Sequence, residues 1–362
     1  MRGRFPPARL RDRALRSTVS RWLPLLAIGL ALFQLPFLAS DATARMTPVT
    51  TTSLPAPIPC DNSIGNCWKP AVKARWQYQL QGSPNPKGGC LHKSTGFINI
   101  GVTGTSFATG RTVAPTVFDI DILQDGKCYS PQDYSVLNYA AVQAIHVRGA
   151  RVIGYIDAGT AETWRPDFPE MQAFDQSCDG CLFGNPLSNF PDEYWLNITT
   201  DAKGINPNTG ELENARRFLL DEMLFRLKEA RLIGVDAIEF DDVDGWQSHS
   251  GLGLSAQDQL EYNTRLANLA HKMGFRVGLK NDLDQAQMLQ PYFDFAINEE
   301  CFQYQECGPL KAWPSRYEKA VFNVEYEAAP SKFCPLANSS TYDFNSIKKT
   351  DDLYDLPYQP CR

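Results

Sequence analysis

The sequence predicts a single (β/α)8 barrel of the TIM type, and three observations predict it. Eight short apolar runs alternate with segments of helical periodicity, about 290 residues follow an N-terminal Thr/Pro-rich stretch without a second linker, and carboxylates crowd at the C-terminal ends of the runs. A doubly wound open sheet is the competing arrangement, but no Gly-rich phosphate turn follows the first run.

Seven arginines between Arg2 and Arg21 precede an apolar run from Leu23 to about Leu38, and Ala42-Thr43-Ala44 fits a small-x-small cleavage site. Residues 1–44 therefore read as a signal peptide, with an uncleaved signal anchor as the alternative; the expected destinations are secretion or a membrane-anchored ectodomain. Residues 45–70, rich in Thr, Ser and Pro, read as a linker or a disulfide-tied strap, and 71–362 as the barrel domain. The whole chain carries a net charge of −6; without residues 1–44, 28 basic residues face 39 acidic ones, a net charge of −11. That sign disfavours nucleic acid and anionic membrane and favours a neutral or cationic partner.

Ten cysteines in an exported chain point to disulfides. Short spacings suggest Cys60–Cys67, Cys178–Cys181 and Cys301–Cys307, leaving Cys90, Cys128, Cys334 and Cys361. Cys178-Asp179-Gly180-Cys181 has no second CxxC to complete a zinc ribbon, so a local disulfide is expected there.

Candidate strands are 75–80, 116–122, 151–156, 194–198, 235–241, 275–280, 293–298 and 320–326. Between them, 133–148 and 213–232 carry apolar stripes at helical spacing, and 255–273 opens on Ser255 as a cap and ends at Gly274. Shorter helices are expected at 283–289 and 302–311. Residues 81–114 form a long insertion after the first strand, with a hairpin expected around 97–102. No internal repeat is evident at this level.

The C-terminal strand ends form the catalytic face of such a barrel. They present Asp119 and Asp121, Tyr155 and Asp157, Asp241 with Asp242 and Asp244, Lys280 with Asn281, Glu299 with Glu300, and Glu325, with Trp76, Tyr78, Trp164, Trp246, Phe302 and Tyr304 nearby. Period-2 alternation along Gly234–Trp246 sends Ala237, Glu239 and Asp241 to one face, with Asp241 at the rim, Glu239 deeper and Asp244 capping the following turn. Buried acids need pairing, metal or chemistry, and acids beside aromatic rings describe a carbohydrate-hydrolysing cleft, in which two carboxyls flank the scissile bond. If Phe293, Phe295 and Ile297 pack outward, alternation turns Glu300 rather than Glu299 inward. None of the four histidines adjoins a nucleophile and the acid spacing matches no EF-hand loop, so neither metal nor cofactor is expected. Of the sequons at Asn197 and Asn338, the second is the better acceptor, because Asn197 falls in a predicted strand.

Several ordered motifs carry a resemblance. Trp76-Gln77-Tyr78-Gln79-Leu80, Phe118-Asp119-Ile120-Asp121, Gly154-Tyr155-Ile156-Asp157-Ala158-Gly159 with Glu162-Thr163-Trp164-Arg165-Pro166-Asp167, Phe240-Asp241-Asp242-Val243-Asp244-Gly245, Gly278-Leu279-Lys280-Asn281 and Asn298-Glu299-Glu300-Cys301-Phe302-Gln303-Tyr304 resemble glycoside hydrolase family 114 over residues 75–327. The resemblance implies a TIM-barrel endo-α-1,4-polygalactosaminidase whose catalytic aspartate and glutamate fall on Asp241 and Glu299. The chain departs from the family pattern in the 81–114 insertion and in Asp157, where a serine is common. Lys280 is expected to pair with the two acids or to contact substrate, and Asp119, Asp121, Tyr155, Asp157, Asn281, Glu300, Tyr304, Glu325 and Trp246 to contact substrate. The expected function is a secreted endo-acting hydrolase of an α-1,4-linked galactosamine polysaccharide, a cationic polymer. The alternatives are a hydrolase of another α-linked polysaccharide and a barrel that binds polysaccharide without turnover.

Overall fold

The structure, a computed structural model, describes residues 54–129 and 136–362. The expected signal segment 1–44, residues 45–53 of the Thr/Pro stretch and the expected helix start at 133 lie outside the described residues.

Eight parallel strands follow one another in chain order around a curled sheet: β1 (Trp76–Tyr78), β2 (Val117–Asp121), β3 (Arg151–Asp157), β4 (Ala237–Asp241), β5 (Arg276–Lys280), β6 (Phe295–Glu299), β7 (Val321–Glu325) and β8 (Asn345–Lys348). A short ninth strand, β9 (Gln359–Pro360), pairs antiparallel with β8. Side chains bring β1 back to β8: Trp76 Nε1 donates to Asn345 O at 2.7 Å, and Asn345 Nδ2 donates to Val72 O at 2.7 Å. Helices Tyr139–Val147, Ala215–Ile233 and Ala256–Lys272 cover the outer face. The second is capped by Asn214, and the third opens on a full capping box of Ser255 and Asp258. No helix among the described residues is long and apolar enough to cross a membrane.

Two strand assignments read from the sequence are corrected. The run at 194–198 is no barrel strand: Glu193–Leu196 pairs antiparallel with Thr160–Glu162 and Phe183–Pro186 in a small sheet above β3. Its buried Trp195 and Leu196 give that run the apolar look of a barrel strand. The eighth strand is β8, whose polar Asn345 and Ser346 hide it from hydropathy; Ser346 Oγ donates to Asn323 Oδ1 at 2.7 Å. Two further local expectations shift. The hairpin in the insertion joins Gly104–Thr105 to Thr112–Val113, and within 302–311 only a 3-10 turn, Gly308–Leu310, forms before helix Ala312–Tyr317.

All ten cysteines are paired, in the three short loops expected plus Cys90–Cys128, which ties the insertion to the loop after β2, and Cys334–Cys361. The described part of the Thr/Pro stretch is a docked strap: Tyr292 Oη donates to Pro55 O at 2.7 Å, Ile58 N to Asn268 Oδ1 at 2.9 Å and Asp61 N to His271 O at 2.9 Å.

The barrel's lower face shows a repeat that sequence reading missed. His146-x-x-Gly149-x-Arg151-Val152 and His271-x-x-Gly274-x-Arg276-Val277 share one pattern. Each set closes on an aspartate that precedes the next strand. Asp236 meets His146 Nε2 (2.8 Å), Arg151 Nη1 (2.7 Å) and Val152 N (2.9 Å), and Asp294 meets His271 Nε2 (2.8 Å), Arg276 Nη1 (2.7 Å) and Val277 N (3.0 Å). Burial pushes the Asp294 carboxyl up, but the His271 bond and charge, the Val277 amide and Arg276 outweigh it and hold it below the usual range.

Candidate active site

The barrel interior is built in layers by alternation. Trp76 packs on Tyr78 at 5.3 Å and on Phe322 at 5.0 Å, and Phe322 meets Phe295 edge-on at 6.0 Å, filling the lower barrel. Gly278 makes room for this, since a Cβ there would stand 2.4 Å from the Phe295 ring. Phe295 therefore faces inward, and alternation along β6 carries Ile297 and Glu299 inward with it. The expectation that Glu300 turns in fails because aromatic residues fill this barrel instead of facing the helices.

Above the aromatic layer lie Asp119, Glu239 and Lys280, all buried. Lys280 Nζ stands 3.0 Å from Asp241 Oδ1 and 2.9 Å from Glu299 Oε2, joining the ends of β4, β5 and β6. Asp241 Oδ1 also accepts from Asp242 N at 2.6 Å. Glu299 is held on both oxygens: Tyr326 Oη donates to Oε1 at 2.6 Å and Asn281 Nδ2 to Oε2 at 3.2 Å, while Asn281 Oδ1 accepts from Glu299 N at 3.0 Å. Tyr326 was missed as a partner of Glu299, although alternation from Phe322 and Val324 signals it.

The three strand ends share one backbone device. Asp242, Asn281 and Glu300, each next after Asp241, Lys280 and Glu299, adopt left-handed φ values of 56°, 50° and 57°. Non-glycine residues held there are strained, and such strain concentrates where side chains are aimed for function. The turn also brings β3 close, because Gly159 leaves no space for a Cβ, which would meet Asp242 O at 1.8 Å.

A cavity of about 290 Å³ opens above this group. Its wall contains Asp241, Glu299, Tyr78, Asp121, Tyr155, Trp164, Arg165 and the loop residues Phe190–Glu193 and Asp351–Tyr354. Nine carboxylates (Asp121, Asp125, Glu162, Asp192, Glu193, Asp241, Glu299, Asp351 and Asp352) line it against Lys127 and Arg165. Arg165 grips Asp121 through two bonds of 2.9 and 2.8 Å and also pairs with Glu162. Burial raises the Asp121 carboxyl, in opposition to the Arg165 charge.

Several residues assigned to substrate contact lie elsewhere. Asp119 is wholly buried below the cavity floor, because it alternates with Asp121 one layer deeper. Asp157 is spent on Gly159 N (3.1 Å), Thr160 N (2.9 Å) and Thr160 Oγ1 (2.6 Å). Glu325 faces out of the barrel, between inward Val324 and Tyr326, and binds Phe302 N at 3.0 Å and Gln303 N at 3.1 Å; burial raises its carboxyl to about 7 despite these donors and Asn323. Glu300 is buried beside the Tyr326 and Glu327 amides, and its carboxyl is raised by burial. Tyr304 is half exposed outside the cavity wall, and Trp246 binds Asp282 Oδ1 at 3.1 Å, also outside it. Asp244 makes no side-chain cap to the turn it precedes. Both sequon asparagines are engaged: Asn197 Nδ2 donates to Cys181 O and Asn338 Nδ2 to Cys361 O, each at 2.9 Å.

Asp157, Glu162 and Glu193 bring carboxylate oxygens within 4.8 Å of one another. The first is already engaged by Thr160 and the second by Arg165, so the group reads as a structural knot under the small sheet.

A sequence-family model for glycoside-hydrolase family GH114 matches residues 60–362. Among solved structures, Aspergillus fumigatus Ega3 in complex with galactosamine is similar at 26% identity, covering 80% of this chain and 95% of that one with a TM-score of 0.58. The glycoside hydrolase domain of Pseudomonas aeruginosa PelA aligns at 12% identity over 67% of this chain and 89% of its own, with a TM-score of 0.44. No curated protein matches the chain. The barrel, its acid-lined cavity and a family match over five-sixths of the sequence agree: this chain is a glycoside hydrolase and belongs to family GH114.

Proposed function

We propose that the protein is a secreted, endo-acting hydrolase of α-1,4-linked, galactosamine-containing polysaccharide, with Asp241 and Glu299 as its two catalytic carboxyls. The observation that carries this reading is the Lys280 bridge, which holds two carboxylates from β4 and β6 at the floor of an open cavity. The cavity's excess of carboxylates suits a polymer bearing free amines, since opposite charge raises local substrate concentration and desolvated acids discriminate against anionic chains. Tyr78, Tyr155, Trp164 and Tyr354 supply ring faces for the apolar sides of sugars. The galactosamine bound by Ega3 is consistent with this class of substrate.

The same bridge bears on stereochemistry. With Lys280 in contact with both, the two bridged oxygens, Asp241 Oδ1 and Glu299 Oε2, can stand no more than about 6 Å apart, which favours the retaining spacing of about 5–5.5 Å over the inverting one of about 6.5–9.5 Å. In that mechanism one carboxylate attacks the anomeric carbon as the other group, in its protonated carboxyl form, gives its proton to the leaving oxygen; the carboxylate so formed then takes a proton from the water that releases the sugar from the covalent intermediate. Incubation with deacetylated galactosaminogalactan, followed by mass spectrometry, is expected to give short oligosaccharides with retained α-anomers by NMR. No products from this polymer, alongside cleavage of another α-glycan, would overturn the substrate; full activity in both Asp241→Asn and Glu299→Gln would overturn the residues.

A further inference from the structure

Asp119 and Glu239 form a second carboxyl pair, directly beneath the first and out of reach of solvent. Neither Asp119 oxygen accepts a bond from any N–H or O–H donor among the described residues; Glu239 Oε1 accepts from Tyr78 Oη at 3.1 Å, and its Oε2 from none. The two carboxyls lie close enough for each to act on the other's proton affinity, and two carboxyls this short of other donors can satisfy each other only by sharing a proton. A wholly buried, donor-poor carboxylate is among the costliest states a side chain can adopt. The nearby cation is Lys280, which already answers Asp241 and Glu299. Four ionised acids around one ammonium would leave a large uncompensated charge in the barrel.

The geometry points to Asp119 and Glu239 as a proton-holding pair that positions Lys280. While the pair keeps its proton, the floor of the site carries one negative charge fewer and the ammonium remains committed upward to Asp241 and Glu299. Loss of that proton would place a new anion below Lys280, pull Nζ downward and push on both working carboxylates. The groups facing Glu239 all bear on this: Tyr78 from β1, Asp119 from β2, Tyr155 across from it on β3, Asp241 on its own strand, Lys280 from β5 and Glu299 from β6. Burial, opposed by Lys280 and reinforced by the charge of Asp241, raises the Glu239 carboxyl to about 8, and burial with Glu239 raises Asp119 well above its ordinary value. Both acids act through Lys280 and are positioning residues, not catalytic ones.

This inference rests on Asp241 and Glu299 as the working pair, and its test separates the two. Infrared spectroscopy of the whole protein at pH 7 is expected to show protonated-carboxyl C=O absorption, part of which is lost in the Asp119→Asn/Glu239→Gln double variant while the share of Glu325 remains. That readout needs no activity, so it stands even if the polymer is not cleaved. On deacetylated galactosaminogalactan, the wild type should lose activity above about pH 8, while Glu239→Gln, which cannot ionise, should retain about ten-fold more of its pH 7 activity at pH 9. Identical alkaline limbs in the two proteins, or equal protonated-carboxyl absorption at pH 7 in the wild type and the double variant, would overturn the proposal. If Glu239→Gln does not fold, an infrared pH titration of the wild type decides: the stretch must persist past neutrality and vanish near pH 8.

Discussion

Lys280 Nζ lies 2.9 Å from Glu299 Oε2, although the two side chains rise from adjacent strands and both are nearly closed to solvent. An ion pair so enclosed is costly to build and more costly to break, because removing one partner strands the other charge. Lys280→Met should therefore lower kcat by about 10²-fold or more and destabilise the fold by about 3–5 kcal/mol. Chemical denaturation and initial rates on the polymer measure the two effects separately.

Tyr326 donates to the other oxygen of Glu299 at 2.6 Å. Hydrogen bonds to charged groups contribute about 1.5–3 kcal/mol, so Tyr326→Phe should cost about 10- to 100-fold in kcat and also lower stability by about 1–3 kcal/mol, because it leaves Glu299 Oε1 short of a donor. Unchanged turnover would mean that this bond does not orient Glu299 during catalysis.

Stability should decline from mildly acidic to neutral pH on account of Glu239 and Glu325, raised to about 8 and about 7. The unfolded chain releases these protons near its ordinary carboxyl value, about 4.3, whereas the folded state keeps them until its higher values are passed. The folded state thus binds more protons across that window, and its stability falls as pH rises through it. Glu239→Gln should flatten the corresponding part of a denaturation-versus-pH curve.

Asp294 works in the opposite sense, and its role is confined to the lower face. Its depressed carboxyl contributes stability that is present above the unfolded value and lost as pH falls through the folded one. Asp294→Ala should cost about 3–5 kcal/mol by stranding His271 and Arg276, yet leave kcat unchanged wherever the protein remains folded, because that face carries stability rather than chemistry.

Glu318 ends helix Ala312–Tyr317 in the left-handed region, at φ 51°, with its side chain exposed. Glu318→Gly should stabilise the protein by about 1 kcal/mol, while Glu318→Val should destabilise it, as read by midpoint shifts in urea.

The expected barrel, the three short disulfides and the positions of Asp241, Lys280 and Glu299 at strand ends could all be read from local pattern. A period-2 apolar run needs no knowledge of its neighbours to declare itself a strand. The eighth strand could not be read this way, since Asn345 and Ser346 look like loop residues until Asn323 and Trp76 answer them from strands far away in sequence.

The same limit governs the acids. Taken alone, the sequence determined which carboxylates gather toward the C-terminal strand ends, because spacing along one strand sets height but not the face each side chain takes. Only tertiary structure decided what each one does, since a carboxylate is defined by the donors that meet it. Lys280 and Tyr326 meet Glu299, backbone amides meet Asp157 and Glu325, and Asp119 meets nothing but another acid. Those partners come from other strands, and the inward face of β6 was itself decided by Gly278, whose missing side chain lets Phe295 fill the barrel and so turns Glu299 toward Lys280.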